Sequence, residues 1–170
     1  MGLTTIYTGY YANLRKYIAA GCAPVGISIG TPKYLQGSGI LRFVKSLAPR
    51  YDMLSIEDEA EYTRRYKAEV LGRREYRTVM AEIEAAACGK QKAVLLCYEK
   101  PPKFCHRSLV ADWINSYGDF YVREFGYEGS GAPALPPKVV QTDMFAALGV
   151  ASSGAGRENQ REREDWSDWR

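Results

Sequence analysis

The sequence predicts a small α/β fold, in which an open, mostly parallel sheet of the Rossmann-like or flavodoxin-like kind carries helices on both faces. Short β-branched or apolar runs at residues 3–8, 25–29 and 94–98 alternate with segments of helical periodicity, and this alternation is typical of parallel sheets. Towards the C-terminus the pattern gives way to Pro- and Gly-rich stretches. We therefore expect an α/β domain over residues 1–127 and a flexible tail over residues 128–170.

The strands are predicted from short runs of β-forming residues that end at turn residues. Residues 3–8 are β-branched and aromatic, and residues 25–29 form an apolar run suited to a buried strand. Residues 93–98 give the clearest strand pattern of the chain. Weaker runs at residues 51–54 and 121–125 are expected to add a further strand and an edge strand.

The helices are predicted from apolar residues that recur at helical spacing. Residues 12–20 follow the first strand as a short helix, and residues 40–47 are expected to form one or two helical turns. The longest helical stretch covers residues 57–88, where Gly72 could divide it into two helices. Residues 108–117 form the predicted helix behind the third strand.

The composition excludes several classes of protein. A net charge of +3 gives no general attraction to nucleic acid or to membranes, so any such binding must come from local patches. No apolar run is long enough to span a bilayer, and the N-terminus lacks the basic and apolar regions of a signal peptide. The four cysteines show no paired CxxC spacing, which indicates reduced thiols and a cytoplasmic location.

A cluster of chemically active residues follows the third predicted strand, at the edge where parallel sheets bind ligands. Glu99 and Lys103 lie in the connecting loop, and Cys105, His106 and Arg107 then open a helix. The unpaired N–H groups and the dipole of a helix N-terminus attract anions, and the basic side chains would strengthen that attraction. The sequence therefore predicts an anion site at this helix N-terminus.

Three residues of this cluster are candidate catalytic groups. His106 is the only histidine and could serve as a general acid or base, with Glu99 as its partner or as a second base. Cys105 could have a lowered pKa at the helix N-terminus and act as a nucleophile. The alternative interpretation is structural: Arg107 pairs with Glu99, and His106 caps the helix or packs.

Further residues are expected to complete the pocket. Ser28 ends the second strand, Tyr10 follows the first strand, and Lys33 lies beside an aromatic residue in a long loop. Aromatic and basic side chains together can stack a nucleobase and hold its phosphate. The alternative is that most tyrosines of the chain, Tyr10 among them, pack with their hydroxyl groups at the surface.

A metal site is not expected. Cys97, Cys105 and His106 are the ligand types that suit zinc, but a fourth ligand is not evident and the spacing matches no common zinc finger. Cys97 lies inside the strand, where a packing role is expected. No cofactor is expected either.

The run at residues 94–114 resembles the signature of the family of domains of unknown function numbered 488, with a strand ending in Leu-Cys, a nearby Glu, and Cys-His-Arg before a helix. Weaker matches extend the resemblance over roughly residues 3–125 of the chain. They lie at residues 8–10, 27–32, 47–49 and 66–71. Many members carry Asp-x-Arg where this chain has Ile27-Ser-Ile29, so roles of that Asp or Arg do not carry over. The resemblance implies a fold and a site but no particular reaction.

A short motif in the tail resembles the peptide by which bacterial DNA polymerases and repair proteins bind the sliding clamp. Gln141, Asp143, Met144 and Phe145 occupy its four key positions. Met144 and Phe145 could fill an apolar pocket of the clamp while Gln141 forms hydrogen bonds with it. The alternative is that this apolar segment folds back onto the domain. The clamp interpretation implies a bacterial or phage protein.

These patterns lead to one leading functional hypothesis and two alternatives. The leading hypothesis is a protein that binds or processes a phosphate-bearing nucleotide or nucleic acid and is tethered to the clamp; as an enzyme, it would be a hydrolase or transferase. The first alternative is a non-catalytic module that sequesters a phosphorylated small molecule. The second is an interaction protein that competes for the clamp. No membrane partner is expected.

Overall fold

A parallel β-sheet forms the centre of residues 2–126, which are the residues described by the structure, a computed structural model. The strand order in the sheet is β3-β2-β4-β1-β5, and every pairing is parallel. The bounds of the strands are Thr5–Tyr10 for β1, Ala23–Gly26 for β2, Arg42–Phe43 for β3, Lys92–Cys97 for β4 and Arg123–Glu124 for β5. The predicted parallel arrangement of the three main strands is therefore confirmed, with β4 between β2 and β1.

Four α-helices connect the strands in the described part of the chain. Their bounds are Leu14–Ala19 for α1, Glu59–Arg65 for α2, Tyr76–Ala87 for α3 and His106–Asn115 for α4. The Asp58 carboxylate accepts a hydrogen bond from the backbone N–H of Glu61 at the start of α2. No helix in residues 2–126 is long and apolar enough to cross a bilayer.

Helices cover both faces of the sheet. Successive apolar side chains of β4 point to opposite faces and pack in two different clusters. Ala93 and Leu95 pack in one cluster with side chains of α3 and α4. Val94 and Leu96 pack in the other cluster with side chains of α1. The fold is therefore the small open α/β fold that the sequence predicts.

Two predicted elements are wrong or incomplete. The predicted strand at residues 51–54 is a single 3-10 turn over Tyr51–Met53, because only Met53 is buried and the backbone hydrogen bonds close locally. The predicted helical turns at residues 40–47 contain the short edge strand β3 before a 3-10 turn over Lys45–Leu47. The predicted tail over residues 128–170 lies outside the described residues.

The long helical stretch is divided, as the sequence allowed. A π-helical turn over Tyr66–Val70 continues α2, and a 3-10 turn over Leu71–Arg73 contains Gly72 before α3 begins. Tyr66 is fully buried, and its hydroxyl donates a hydrogen bond to the backbone carbonyl of Leu47. This irregular segment therefore directs one tyrosine ring into the core beneath the candidate site.

Candidate active site at the carboxyl end of the central strand

A cavity of about 770 Å³ opens at the carboxyl ends of β2 and β4. This is the edge where open parallel sheets bind ligands. Its volume is in the range of pockets that bind drug-sized organic molecules. The lining includes Ser28, Tyr51, Leu54, Tyr62, Cys97, Tyr98, Glu99, Lys103, Phe104, Cys105 and His106.

Two sulfur atoms and one imidazole meet in the lining of this cavity. Cys97 ends β4, Cys105 precedes α4 as its N-cap residue, and His106 is the first residue of α4. The Nδ1 atom of His106 lies 3.7 Å from Cys97 Sγ and 3.8 Å from Cys105 Sγ. We call these three residues the thiol-imidazole cluster. All three side chains are buried, and they meet only because the strand end and the helix start lie side by side.

A backbone carbonyl sets the orientation of the imidazole. The Nε2 atom of His106 lies 2.9 Å from the carbonyl oxygen of Ile27, which directly follows β2. A carbonyl oxygen can only accept a hydrogen bond, so Nε2 carries the proton and donates it. In the neutral ring, Nδ1 is then unprotonated and faces the two sulfur atoms. The imidazole is therefore positioned as a proton acceptor for a thiol.

The two thiols have different proton affinities. The pKa of Cys105 is held well below its usual range, chiefly by a hydrogen bond from the Cys97 thiol and then by the neighbouring imidazole, although burial opposes the shift. The pKa of Cys97 is raised, chiefly by its hydrogen bond to Cys105 and also by burial. Cys105, at the N-terminus of α4, is therefore the thiol of the pair that ionises more readily.

Aromatic rings support the cluster from the side of α2. The ring of Tyr66 lies 5.3 Å from the ring of His106, and Tyr62 stacks on Tyr66 at 5.9 Å. Phe104 packs edge-on against Tyr62 at 5.6 Å. Burial raises the pKa of Tyr66 well above its usual value, so its hydroxyl remains a neutral donor to Leu47. The imidazole therefore rests on a rigid aromatic layer.

Ser28 lines the cavity as predicted, but its hydroxyl is already engaged. Ser28 Oγ donates to the carbonyl of Gly30 at 2.8 Å, so the Tyr11 hydroxyl is the donor in the 2.6 Å contact with Ser28 Oγ. Burial raises the pKa of Tyr11, which is consistent with a neutral donor. Lys45 Nζ donates to the carbonyl of Ser28 at 3.2 Å. Tyr11 and Lys45 hold the loop after β2 and were not assigned a role from the sequence.

Arg107 holds the protein framework together instead of lining the cavity. Its Nε donates to Glu124 Oε2 at 3.2 Å, and another guanidinium nitrogen donates to the backbone carbonyl of Glu99. Glu124 Oε2 also accepts from Thr8 Oγ1 at 2.7 Å. The alternative pairing of Arg107 with Glu99 thus occurs through the Glu99 carbonyl, while the Glu99 carboxylate lies 3.6 Å from Lys103 Nζ. Arg107 therefore links α4 to β5 and to the loop after β4.

The remaining predicted anion-binding residues lie in different places. Lys103 borders both the main cavity and a second groove of about 550 Å³ that also contains Arg107 and Arg123. The Tyr10 hydroxyl accepts a hydrogen bond from Asn13 Nδ2 at 2.8 Å, outside the lining of the main cavity. Lys33 is exposed in a turn and is also outside this lining. The structure thus brings Ser28, Glu99, Lys103, Cys105 and His106 into one cavity, and it separates Tyr10, Lys33 and Arg107 from it.

The contribution of Cys97 was missed by the sequence analysis, which assigned it to packing. The structure ends β4 at Cys97, one residue before the predicted end of the strand, and strand ends supply site residues in parallel sheets. The contact between His106 and the Ile27 carbonyl joins residues far apart in the chain, and local sequence patterns carry no signal for it.

Comparison with known proteins gives one family and no individual relative. No curated protein and no solved structure matches the chain. A family model described as the active DUF488-N3 subclade matches residues 21–118. This range covers more than half of the chain and includes β2, β4, α4 and the entire thiol-imidazole cluster. The chain therefore belongs to the DUF488 family, in its active DUF488-N3 subclade.

Proposed function

We propose that this protein is a thiol-dependent hydrolase or transferase that uses Cys105 as its nucleophile. The observation that carries the proposal is the alignment of Cys105 Sγ, the imidazole of His106 and the carbonyl of Ile27. A nucleophile beside a base that is oriented by a third group is the arrangement used in covalent catalysis. The cluster lines a cavity large enough for an organic substrate.

The roles of the three residues follow from their contacts. His106 Nδ1 accepts the proton of Cys105, and the Ile27 carbonyl stabilises the resulting imidazolium through Nε2. The Cys105 sulfur attacks the substrate, and the leaving group departs with the proton of His106 Nδ1, while the rest of the substrate remains covalently bound to sulfur. His106 then takes a proton from water or from a second substrate molecule. The deprotonated molecule displaces the bound group from sulfur and restores the Cys105 thiolate. Glu99 lies in the lining as a second candidate acid or base for the leaving group.

The proposed substrate is a phosphate-bearing nucleotide or a nucleic-acid end. Tyr51 and Tyr98 line the cavity and are 78% and 49% exposed, so their rings are available to stack on a base. Lys103 lies between the cavity and the groove that contains Arg123, where it would meet a phosphate. A module that only sequesters such a ligand would bind it without turnover.

The reactivity of Cys105 tests the enzyme proposal. In buffer with a chelator and in a Cys88→Ser background, iodoacetamide should label Cys105 at a nearly constant rate between pH 6 and 8. An ordinary thiol, with a pKa of about 8.5, gains almost tenfold in rate per pH unit over this range. Labelled peptides would be identified by mass spectrometry. A rate that rises like that of an ordinary thiol would contradict the proposal.

Two controls belong to this experiment. Cys105→Ser should remove the fast labelling, which assigns the rate to this residue. Adenosine monophosphate should protect Cys105 from labelling better than adenosine does, and Lys103→Ala should abolish the difference because it removes the proposed phosphate contact. Equal protection by the two compounds in the wild-type protein would reject the phosphate part of the proposal.

The motif at residues 141–145 favours a second proposal, that the tail tethers the protein to a bacterial sliding clamp. These residues lie outside the described residues, and the proposal rests on the sequence pattern alone. A peptide of residues 137–150 should bind the clamp with a Kd around 1 μM, or roughly −8 kcal/mol. Two buried apolar anchors supply much of that, at about 1.5–3 kcal/mol each.

Fluorescence polarisation with the labelled peptide measures this interaction. Joint Met144→Ala and Phe145→Ala substitution should abolish binding, whereas His106→Ala in the full chain should leave clamp binding unchanged. Equal binding by the double variant would mean that these side chains do not contact the clamp. If the full chain acted only as a clamp competitor, the tail peptide would reproduce its whole effect.

A further inference from the structure

We propose that the thiol-imidazole cluster also binds Zn²⁺ through Cys97 Sγ, Cys105 Sγ and His106 Nδ1, with the fourth coordination position open to the main cavity. The proposal goes beyond the function above, because it concerns a metal-bound form in which Cys105 is a ligand and no longer a free nucleophile. It depends on the positions of three atoms and on their access to the cavity.

The distances fit a tetrahedral ion. Zinc bonds of about 2.3 Å to sulfur and about 2.0–2.1 Å to nitrogen, at tetrahedral angles, place sulfur and nitrogen roughly 3.6 Å apart. The observed separations of Nδ1 from the two sulfur atoms are 3.7 and 3.8 Å. All three ligand atoms lie within 4.8 Å of one another. The two nitrogen–sulfur separations therefore leave room for a zinc ion between the three atoms.

The surroundings of the imidazole are those of a metal ligand. Histidines that bind metals usually donate their other ring N–H to a carbonyl or carboxylate, which fixes the ring and the tautomer. His106 makes this contact with Ile27, and the ring also rests on buried Tyr66. Nδ1 already points at the two sulfur atoms. No rotation of the ring is needed for metal binding.

The donor set selects the class of ion. Two thiolates and one imidazole favour zinc and other thiophilic ions over Mg²⁺ and Ca²⁺, which require oxygen ligands. The sequence predicts that zinc is absent, because no fourth ligand is evident in it. A site with two cysteines and one histidine does not require one, since catalytic zinc sites keep their fourth position for water or substrate. All three residues line the cavity, so water or a ligand atom can reach that position.

Metal titration of the full chain tests the proposal. The protein would be purified with a chelator, transferred to metal-free buffer and titrated with Co²⁺, a spectroscopic substitute for Zn²⁺. We expect one ion per chain, a sulfur-to-cobalt charge-transfer band, the visible spectrum of a tetrahedral ion, and displacement of Co²⁺ by Zn²⁺. An octahedral spectrum without the charge-transfer band, or no saturable binding, would overturn the proposal.

Matched cysteine variants locate the ion. Cys105→Ser and Cys97→Ser should each weaken Zn²⁺ binding by at least about 100-fold, because even the loss of groups that only orient a ligand costs 10–100-fold. Cys22→Ser and Cys88→Ser lie outside the cluster and should leave the affinity unchanged. Circular dichroism would confirm that each variant is folded. Equal affinity of Cys105→Ser and wild type would assign the ion elsewhere and reject the site.

The metal proposal and the enzyme proposal fail separately. Labelling of Cys105 in the presence of chelator reports on the free thiolate whether or not the cluster binds zinc. Stoichiometric Zn²⁺ should then reduce the labelling rate of Cys105 at least tenfold, since the metal occupies the sulfur lone pair. Unchanged labelling in the presence of saturating Zn²⁺ would exclude Cys105 as a ligand without affecting its role as a nucleophile.

Discussion

Replacing Cys97 with alanine should slow the labelling of Cys105 at pH 4 by about 5- to 50-fold. The hydrogen bond from the Cys97 thiol is the largest cause of the low pKa of Cys105, and alanine removes it. A hydrogen bond to a charged group contributes about 1.5–3 kcal/mol, which corresponds to roughly one to two pKa units. The sign follows directly: raising the pKa of Cys105 from about 4 leaves less thiolate at pH 4, whereas above pH 8 Cys105 is ionised in both proteins.

Cys97→Ser is the matched control for this prediction. Its hydroxyl keeps a donor at the same position, so the serine variant should label at pH 4 faster than the alanine variant. The measurement is the pH profile of iodoacetamide labelling in a Cys88→Ser background with chelator present. If Cys97→Ala labels at the wild-type rate at pH 4, the Cys97 thiol does not stabilise the charge on Cys105.

The second large effect is expected on stability. Arg107→Met should lower the free energy of unfolding by about 2–3 kcal/mol, because it leaves Glu124 and the carbonyl of Glu99 without their buried partner. Arg107 is only 5% exposed. Glu124 retains 29% exposure, which places the loss below that of a fully buried pair. Methionine preserves the apolar stem, so the loss reports on the guanidinium.

Urea unfolding monitored by circular dichroism measures this effect. Adding Glu124→Gln to Arg107→Met should recover part of the lost stability, because the amide carries no unpaired charge. A change below about 0.5 kcal/mol in the single variant would show that Arg107 is not the structural link described above. Because Arg107 holds the framework, anion binding is better tested by substituting Lys103 or Arg123 than by substituting Arg107.

Much of the fold could be predicted because the main strands carry strong local patterns. The apolar run of β4 is buried on both faces, and such runs are typical of central parallel strands. The errors fall where burial is decided by tertiary contacts. Residues 51–54 contain the apolar and aromatic residues of a strand, yet Tyr51 and Leu54 are exposed and border the cavity. Only the three-dimensional structure distinguishes a short edge strand such as β3 from such a turn.

The candidate site could be predicted in part. The placement of Cys105 and His106 at a helix N-terminus follows from adjacent residues, so the sequence carries it. The partners of these residues come from elsewhere: Cys97 from the end of β4 and the Ile27 carbonyl from the end of β2. The pairing of Arg107 with Glu124 likewise depends on β5 lying beside β1. No local pattern encodes these distant contacts.

The hydrogen bond between His106 and the carbonyl of Ile27 restricts how protons travel through the site. Because Nε2 is bound to the framework, an incoming proton can join the imidazole only at Nδ1, on the side of the two sulfur atoms. Proton exchange with solvent must therefore pass through the main cavity. In the proposed mechanism, a substrate that fills this cavity would cut the imidazole off from bulk water, so the proton taken from Cys105 would be retained for the leaving group. The carbonyl of Ile27 thus limits proton transfer to the side of the ring that faces the two sulfur atoms.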